Sequence, residues 1–571
     1  MKKPEVMVIG LDGATFDLID PWVKEGRLPN LEKCLNRGGA ARLRSTPLSN
    51  SAQAWSSFIT GKNPGKHGIY DFFEPKRDDY GIRFINASFR KGKSLWKILS
   101  EGGKSVGVIN VPISYPAEEV NGFFISGLDA PSIDKDDFSY PPGIVQTLRE
   151  KAGGYILEAG IWGYIRRGEP QMALEKLLES IEVRTRGAIF LLRRYQPDFF
   201  MIVFTESDKV QHHFWKYIDP ERRESQLHAD KPYSQAILKV YQKLDQSIGE
   251  LLEETGGGCT TFIMSDHGAG PASNKTMFIN KWLSGIGLLA YESNRNIVRK
   301  AKRILRRTLS VVDAIVKKRL SRRMKERLLR YFPELRDRVD SLLALQGIDW
   351  SRTSAYSREN HPAIFINLKG REPSGIVSQG SEYEEICKKI IKELGEIRCL
   401  ETNEKVVGRV WRKEEVYSGE ALYRAPDIIF EWKDHAYVHR PTDPGAGSGF
   451  LKKLSHKEME RSENLIRPSG IHRDYGILIG CGEHIKQGDG TSEASIMDLA
   501  PTILYRLGIP APSDMDGRVL FEFFGKDFAD KNLIRQTTSD SEIISEDKTV
   551  SYSDNESKSI EERLRGLGYI D

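Results

Sequence analysis

The sequence predicts an α/β protein built on a mostly parallel sheet covered by helices. Short unbroken apolar runs recur along the chain, helical patterns lie between them, and metal-capable side chains directly follow several of the runs. VMVIG (6–10), VGVINV (106–111), FFMIVF (199–204), TFIMS (261–265), DIIF (427–430) and YGILIG (475–480) read as strands. Runs that do not alternate with polar residues belong to strands buried on both faces. The amphipathic pattern from Leu174 to Leu192 reads as a covering helix. Strands alternating with helices specify parallel pairing through crossovers.

Composition narrows the class. The chain has 571 residues, 39% hydrophobic and 29% charged, with a net charge of +5. That length exceeds one compact core and predicts a large domain with insertions, or two to three domains. The weak positive charge slightly favours anionic ligands and does not by itself specify nucleic acid. Val6 to Leu11 is too short for a signal-peptide core, and no apolar stretch is long enough to span a membrane. The five cysteines form no CxxC pair. They predict a reduced, cytoplasmic compartment.

In open parallel sheets, ligands bind beyond the carboxyl ends of the strands. Asp12 follows the first run, Glu206 and Asp208 follow FFMIVFT, and Asp266 and His267 follow TFIMS. A lone acid there serves as a helix cap. Three metal-capable clusters after three separate strands point instead to a metal site. Asp208 and His212 are four apart and share a face if a helix starts there. Adjacent Asp266 and His267 can point to different ions. His472 precedes the strand YGILIG. Together Asp12, Asp208, His212, Asp266, His267 and His472 form a mixed carboxylate–imidazole set that suits zinc or manganese better than calcium or a thiolate-bound metal.

The candidate nucleophile is Ser51, ahead of a helical AQAWSSFITG. A serine hydroxyl is weak near neutral pH and needs a metal to activate it. At a helix start it would also have backbone N–H groups aimed at an incoming phosphate. Without the metal ligands, Ser49 and Ser51 would read as plain caps.

The motif order resembles the alkaline phosphatase superfamily, in particular its type I phosphodiesterase / nucleotide pyrophosphatase branch and the predicted phosphohydrolase–phosphomutase proteins near it. IGLDGATFD matches the opening strand and its aspartate. Ser51 lies ten residues before Gly61 of ITG, and PGKHGI follows at 64–69. Asp208 and His212 match a D-x-x-x-H pair, residues 265–268 spell SDHG, and His472 matches a late histidine. DLAPTILYRLGIPAPSDMDGRVL (498–520) is similar to the closing segment of these enzymes. The resemblance covers most of residues 5–285 and 420–525. It implies an alkaline-phosphatase-like three-layer sandwich. One ion would be held by Asp12, Asp266 and His267 and activate Ser51, itself a ligand. The other would be held by Asp208, His212 and His472. Two such ions roughly 4 Å apart stabilise the attacking and leaving oxygens of an in-line displacement.

Two departures qualify the resemblance. The branch carries a phosphate-binding asparagine after HGI, where this chain has Phe72, which leaves Asn50, Lys62 or Arg473 as alternative donors. The sulfatase pattern x-P-x-R is missing after Ser51, which disfavours sulfate esters. Among lesser candidates, His67 reads as structural, His439 as a weaker competitor of His472, Trp55 as core rather than a base-stacking platform, and Arg440 as a phosphate binder or a surface ion pair.

The reading divides the chain into a first core part (1–285), a basic helical insertion or cap (286–350), a second core part (351–535) and a tail (536–571). The insertion is basic from 295 to 330 and includes Arg303, Arg306, Arg307 and Arg322. It would pack as a cap with a solvated basic face, cover an anionic substrate, or touch an anionic surface. The polar stretch 536–558 reads as flexible, and IEERLRGLGYI (560–570) as a short helix able to dock back. The function expected is a metal-dependent phosphodiesterase or phosphomonoesterase working through a phosphoseryl intermediate on a small phosphorylated substrate such as a nucleotide or sugar phosphate. The alternatives are a phosphomutase or phosphotransferase, and a non-catalytic anion-binding protein.

Overall fold

The structure, a computed structural model, describes residues 2–76, 78–219, 233–292, 345, 347–358, 361–399, 401–441, 449–455, 458–459, 468–488, 493–538 and 549–566. The basic segment 295–330, with Arg303, Arg306, Arg307 and Arg322, lies outside the described residues.

Nine strands form the central sheet: β1 (Val6–Leu11), β2 (Gly39–Arg44), β3 (Val106–Val111), β4 (Gly122–Ser126), β5 (Ser139–Tyr140), β6 (Phe199–Phe204), β7 (Thr260–Met264), β8 (Tyr475–Gly482) and β9 (Glu493–Ser495). Their spatial order is β9-β2-β8-β7-β1-β6-β3-β4-β5. The neighbours from β7 to β4 pair in parallel, and β8 runs antiparallel between β2 and β7. Every residue of β1, β3, β6 and β7 is buried, as their unbroken apolar runs require. Met7, Ile9 and Leu11 face a layer that includes the helices Pro170–Tyr195 and Ala236–Thr255. Val6 and Val8 face the other layer, with the helices Ser51–Thr60 and Leu499–Arg506. The period of two along a strand thus divides the core into two faces and gives the three-layer sandwich.

Register places the chemistry. Leu11 pairs with Phe204, and Gly10 with Met264. The three chain segments that follow therefore leave the sheet at the same level, bringing Asp12, Glu206 to Asp208, and Asp266 to His267 to one edge.

DIIF forms a strand but lies outside the central sheet. Ile428–Trp432 belongs to a four-stranded antiparallel sheet with Ala355–Tyr356, Ala363–Ile366 and Val407–Arg412. The helix Ser381–Gly395 covers it, and Tyr356, Ile364, Cys387, Ile390, Leu394 and Phe430 fill a separate core. This small lobe touches the nucleophile region: Gln53 donates to Tyr417 Oη at 3.2 Å and Asn63 to Ser418 Oγ at 3.1 Å.

A terminal helix, Asp554–Gly566, packs on the core; it starts ahead of the 560–570 motif, whose last residues, 567–570, lie outside the described residues. Ile560 and Leu564 are buried against Phe72, Phe84 and Leu128. Of the polar stretch before it, residues 539–548 lie outside the described residues; Gln536–Thr537 pairs with Ala511–Pro512, and Tyr552 donates to the Asp129 carbonyl at 2.8 Å. The five cysteines are buried and unpaired. Among the described residues no helix is long and apolar enough to cross a membrane.

Candidate metal and phosphoester site

Ser51 opens its helix, and Asn50 caps it. The Asn50 side-chain oxygen accepts from Ala52 N at 2.9 Å and Gln53 N at 3.3 Å. This satisfies two of the four N–H groups orphaned at a helix start. Ser51 is fully buried, with Oγ 3.0 Å from His267 Nε2. Ser49 is not the cap. It sits in the left-handed region at φ 47°, and its hydroxyl donates to Asp474 at 2.9 Å.

The predicted ligands converge in two groups. Asp12, Asp266 and His267 present one donor atom each within 4.8 Å of one another, and so do Asp208, His212 and His472. The helix Glu206–Phe214 carries Asp208 and His212 on one face, 3.2 Å apart, as their spacing required. His472 arrives on the strand Gly470–Arg473 and stacks on His267 with ring centroids 3.6 Å apart. Gly13 allows the groups to approach. At φ +67°, a Cβ there would lie 2.9 Å from Asp208 Oδ1.

Each of the three imidazoles is locked by a backbone carbonyl. His212 Nδ1 meets Gly470 O at 2.7 Å, His472 Nδ1 meets Ser49 O at 2.7 Å, and His267 Nδ1 meets Gly268 O at 2.8 Å. A carbonyl only accepts, so each Nδ1 carries the proton, and in the neutral ring Nε2 is left with its lone pair, as a metal ligand needs. His212 Nε2 and His472 Nε2 then face each other at 3.1 Å. Two lone pairs at that distance repel unless a cation lies beside them. Asp12 Oδ1, both Asp208 oxygens and Asp266 Oδ2 are also buried and, among the described residues, accept no hydrogen bond. Burial, then the charges of Asp266 and Asp208, pushes the Asp12 carboxyl well above its ordinary range. Burial, then the His267 charge, holds His472 well below the usual imidazole range. Asp208 moves the other way: burial alone would raise it, but His212 outweighs that and holds it low. Bare acceptors, fixed lone pairs and crowded like charges together fit divalent cations.

The helix bearing Asp208 is anchored by a buried ion pair. Arg184 Nη1 meets Glu206 Oε2 at 2.6 Å with both side chains fully buried, and Ser180 donates to Glu206 at 2.7 Å. Burial works to raise the Glu206 carboxyl, but the charges of Arg184 and Lys209 outweigh it and hold it below its ordinary value. Its stabilising contribution is therefore full at neutral pH and is lost as pH falls through that depressed value. Replacing Arg184 with leucine strands a buried carboxylate and should cost about 3–5 kcal/mol, read by chemical denaturation.

The remaining candidates resolve individually. His67 is structural: it is buried, with Nε2 2.9 Å from Ser57 Oγ and Nδ1 accepting from Ile69 N. His439 stands apart from both groups, with Nε2 3.1 Å from Ser357 Oγ. Trp55 is core, and its indole donates to Asp12 Oδ2 at 3.3 Å, which orients that carboxylate. Lys62 is engaged by Asp514 at 2.5 Å, and Arg473 donates to the carbonyls of Pro271 and His472. Of the three alternative phosphate donors, Asn50 is the one adjacent to Ser51. Its amide donates to Asp71 Oδ1 at 3.0 Å and reaches His361 Nε2 at 3.0 Å. His361 has no spaced partner in the sequence and was not a candidate. A cavity of about 940 Å³ lies between the lobes, lined by Ser49, His212 and His472 on one side and His361, Trp411 and Tyr437 on the other; Arg440 also lines it.

Phosphonoacetate hydrolase from Sinorhizobium meliloti 1021, solved with phosphonoformate and with phosphonoacetate, superposes with a TM-score of 0.52 at 13% identity, covering 89% of this chain and 96% of that chain. Murine ectonucleotide pyrophosphatase / phosphodiesterase 5 in complex with AMP gives a TM-score of 0.45 at 10% identity over 89% of this chain and 96% of that chain. No curated protein sequence matches the chain. The family model for type I phosphodiesterase / nucleotide pyrophosphatase matches residues 6–459, which hold Ser51 and five of the six converging ligands. The chain belongs to the type I phosphodiesterase / nucleotide pyrophosphatase family and is a phosphoric ester hydrolase.

Proposed function

We propose that the chain hydrolyses a small phosphorylated substrate through a phosphoseryl intermediate on Ser51. One divalent ion would be held by Asp12, Asp266 and His267, with Ser51 as a further ligand, and a second by Asp208, His212 and His472. The observation that carries this reading is the set of bare carboxylate oxygens and carbonyl-locked imidazoles gathered beside a serine at a helix start. The mixed donor set suits zinc or manganese. When bound, the ions supply Lewis acidity: they lower the pKa of the serine hydroxyl and neutralise phosphoryl oxygens.

The chain's own residues do the rest. Asn50 fixes the start of the helix, and Ser51 Oγ is held 3.0 Å from His267 Nε2. The Ser51 Oγ–phosphorus bond forms as the ester O–P bond breaks, and the leaving oxygen takes a proton. Water then attacks phosphorus, the Ser51 O–P bond breaks, a proton from the water passes to Ser51 Oγ, and phosphate or a phosphomonoester leaves.

The test uses acid-quenched protein after mixing with 4-nitrophenyl phosphate or bis(4-nitrophenyl) phosphate in zinc or manganese. Mass spectrometry should find phosphate, or its monoester, on the peptide bearing Ser51. Turnover with no adduct and with inversion at phosphorus would replace the covalent reading by direct attack of water. The preferred ester separates monoesterase from diesterase. An adduct that forms but discharges only to an added sugar hydroxyl would move the assignment to a phosphotransferase.

A further inference from the structure

Asn50 links the nucleophile helix to the small lobe through one residue, and the hydrogen bonds fix that residue's proton. The Asn50 oxygen is committed to two backbone N–H groups, so its amide nitrogen is the group that points away from the helix. That nitrogen cannot accept. It donates to Asp71 Oδ1 at 3.0 Å, and its other N–H meets His361 Nε2 at 3.0 Å. His361 Nε2 must therefore be the acceptor, and the ring is neutral with its proton on Nδ1. Burial, then the His267 charge, lowers the His361 ring to about 4, in keeping with that neutral form. Among the described residues Nδ1 has no hydrogen-bond partner. His361 lies two residues before the strand Ala363–Ile366 of the small lobe and lines the cavity that also exposes His212 and His472.

We propose that His361 is a substrate-binding residue, whose Nδ1–H donates to an anionic oxygen of the phosphoester held beside Ser51. The assignment rests on the reading of Ser51 as the phosphoryl acceptor. It makes the site a joint product of both lobes: the core supplies the nucleophile and the metal-capable groups, and the small lobe supplies a neutral donor. A neutral imidazole is suited to that role because it hydrogen-bonds the phosphoryl group without competing with the cations for it.

Two substitutions separate binding from positioning. In His361→Asn the side-chain amide overlies Nδ1, so a donor toward substrate remains while the acceptor for Asn50 is lost. In His361→Gln the amide overlies Nε2, so an acceptor for Asn50 remains while the donor toward substrate is lost. The probe is inorganic phosphate, titrated calorimetrically into the zinc-loaded full chain, with steady-state kinetics on the better of the two nitrophenyl esters. Expected for His361→Gln is a loss of about tenfold or more in phosphate affinity and in kcat/KM, with unchanged zinc content and Tm. His361→Asn should stay within about threefold of wild type. The reverse order, with Gln tolerated and Asn impaired, would make His361 a positioning residue for Asn50 and overturn the proposal. Equal, wild-type behaviour of both would overturn it as well. Ser51→Ala run in parallel keeps the two readings apart. If it turns over normally, the phosphoseryl reading falls and His361 with it; if it is inactive while His361→Gln is unaffected, only the His361 assignment falls.

Discussion

Ser51→Ala is expected to lower kcat/KM by at least about 10³-fold on any phosphoester the wild type cleaves, with zinc or manganese content close to wild type. The magnitude follows from the role: a group that forms the covalent bond cannot be replaced by a better-bound substrate, so the loss falls on kcat rather than KM. Retained metal follows from geometry, because both three-residue groups survive the substitution intact. The alanine should also be tolerated structurally. Asn50, not Ser51, caps the helix, and the Ser51 hydroxyl lies 3.0 Å from His267 Nε2. Steady-state kinetics together with metal analysis checks the result. Near-normal turnover with full metal would place the reaction on water alone and remove Ser51 from the chemistry.

Stripping divalent ions should abolish turnover and also lower the melting temperature. Three carboxylates, Asp12, Asp208 and Asp266, are packed into one buried region, and among the described residues four of their oxygens lack a hydrogen-bond donor. An ion bound only by the folded chain stabilises it by RT ln(1 + [L]/Kd), about 4 kcal/mol per site at a thousandfold excess over Kd. The contribution of Asp12 should reverse between the two forms, whereas Asp208 and His472, both held low, oppose it in the apo chain. In the apo chain, burial and the neighbouring carboxylates raise Asp12, so the folded state binds its proton more tightly than the unfolded state. That contribution is present at acid pH and is lost as pH rises from the ordinary carboxylate range through the raised value. In the loaded chain protons compete with the ion, and stability should instead fall on acidification. Calorimetric scans from pH 5 to 8 with and without zinc test whether the zinc-dependent stabilisation falls on acidification. Identical scans would mean that these groups hold no ion in the folded chain.

The sequence made some layers of this molecule legible and others not, for physical reasons. Strand runs such as VMVIGL and FFMIVF were readable because a strand buried on both faces must be apolar throughout. Asp12, Asp208 and Asp266 were readable because acids directly after such runs sit where a parallel sheet places its ligands. DIIF was read as a strand, but which sheet it joins depends on pairing partners far along the chain, and three apolar residues carry no record of that. The carbonyls of Ser49, Gly268 and Gly470, which set the histidine tautomers, were illegible because every residue has a carbonyl. His361 was missed for a related reason. Its partner is the amide of Asn50, and a contact across 311 positions leaves no spacing to detect.

The placement of β8 has a consequence for how the chain is made. A sheet strand made of residues 475–482 lies between one at 39–44 and one at 260–264. During synthesis β1, β3, β4, β6 and β7 can associate early, but β2 has no route into hydrogen bonding with them, and β7 keeps an open edge. Some 200 further residues must be translated before that gap can close, about 10–40 s at typical elongation rates. His472 emerges immediately ahead of the closing strand. The nascent chain therefore carries an incomplete sheet with an exposed edge, and an incomplete ligand set, until the same short stretch of ribosome output finishes both. Ribosome-stalled chains ending before residue 470 should accordingly be protease-sensitive and recruit chaperones, whereas chains extended past the closing segment should become protected in a single step.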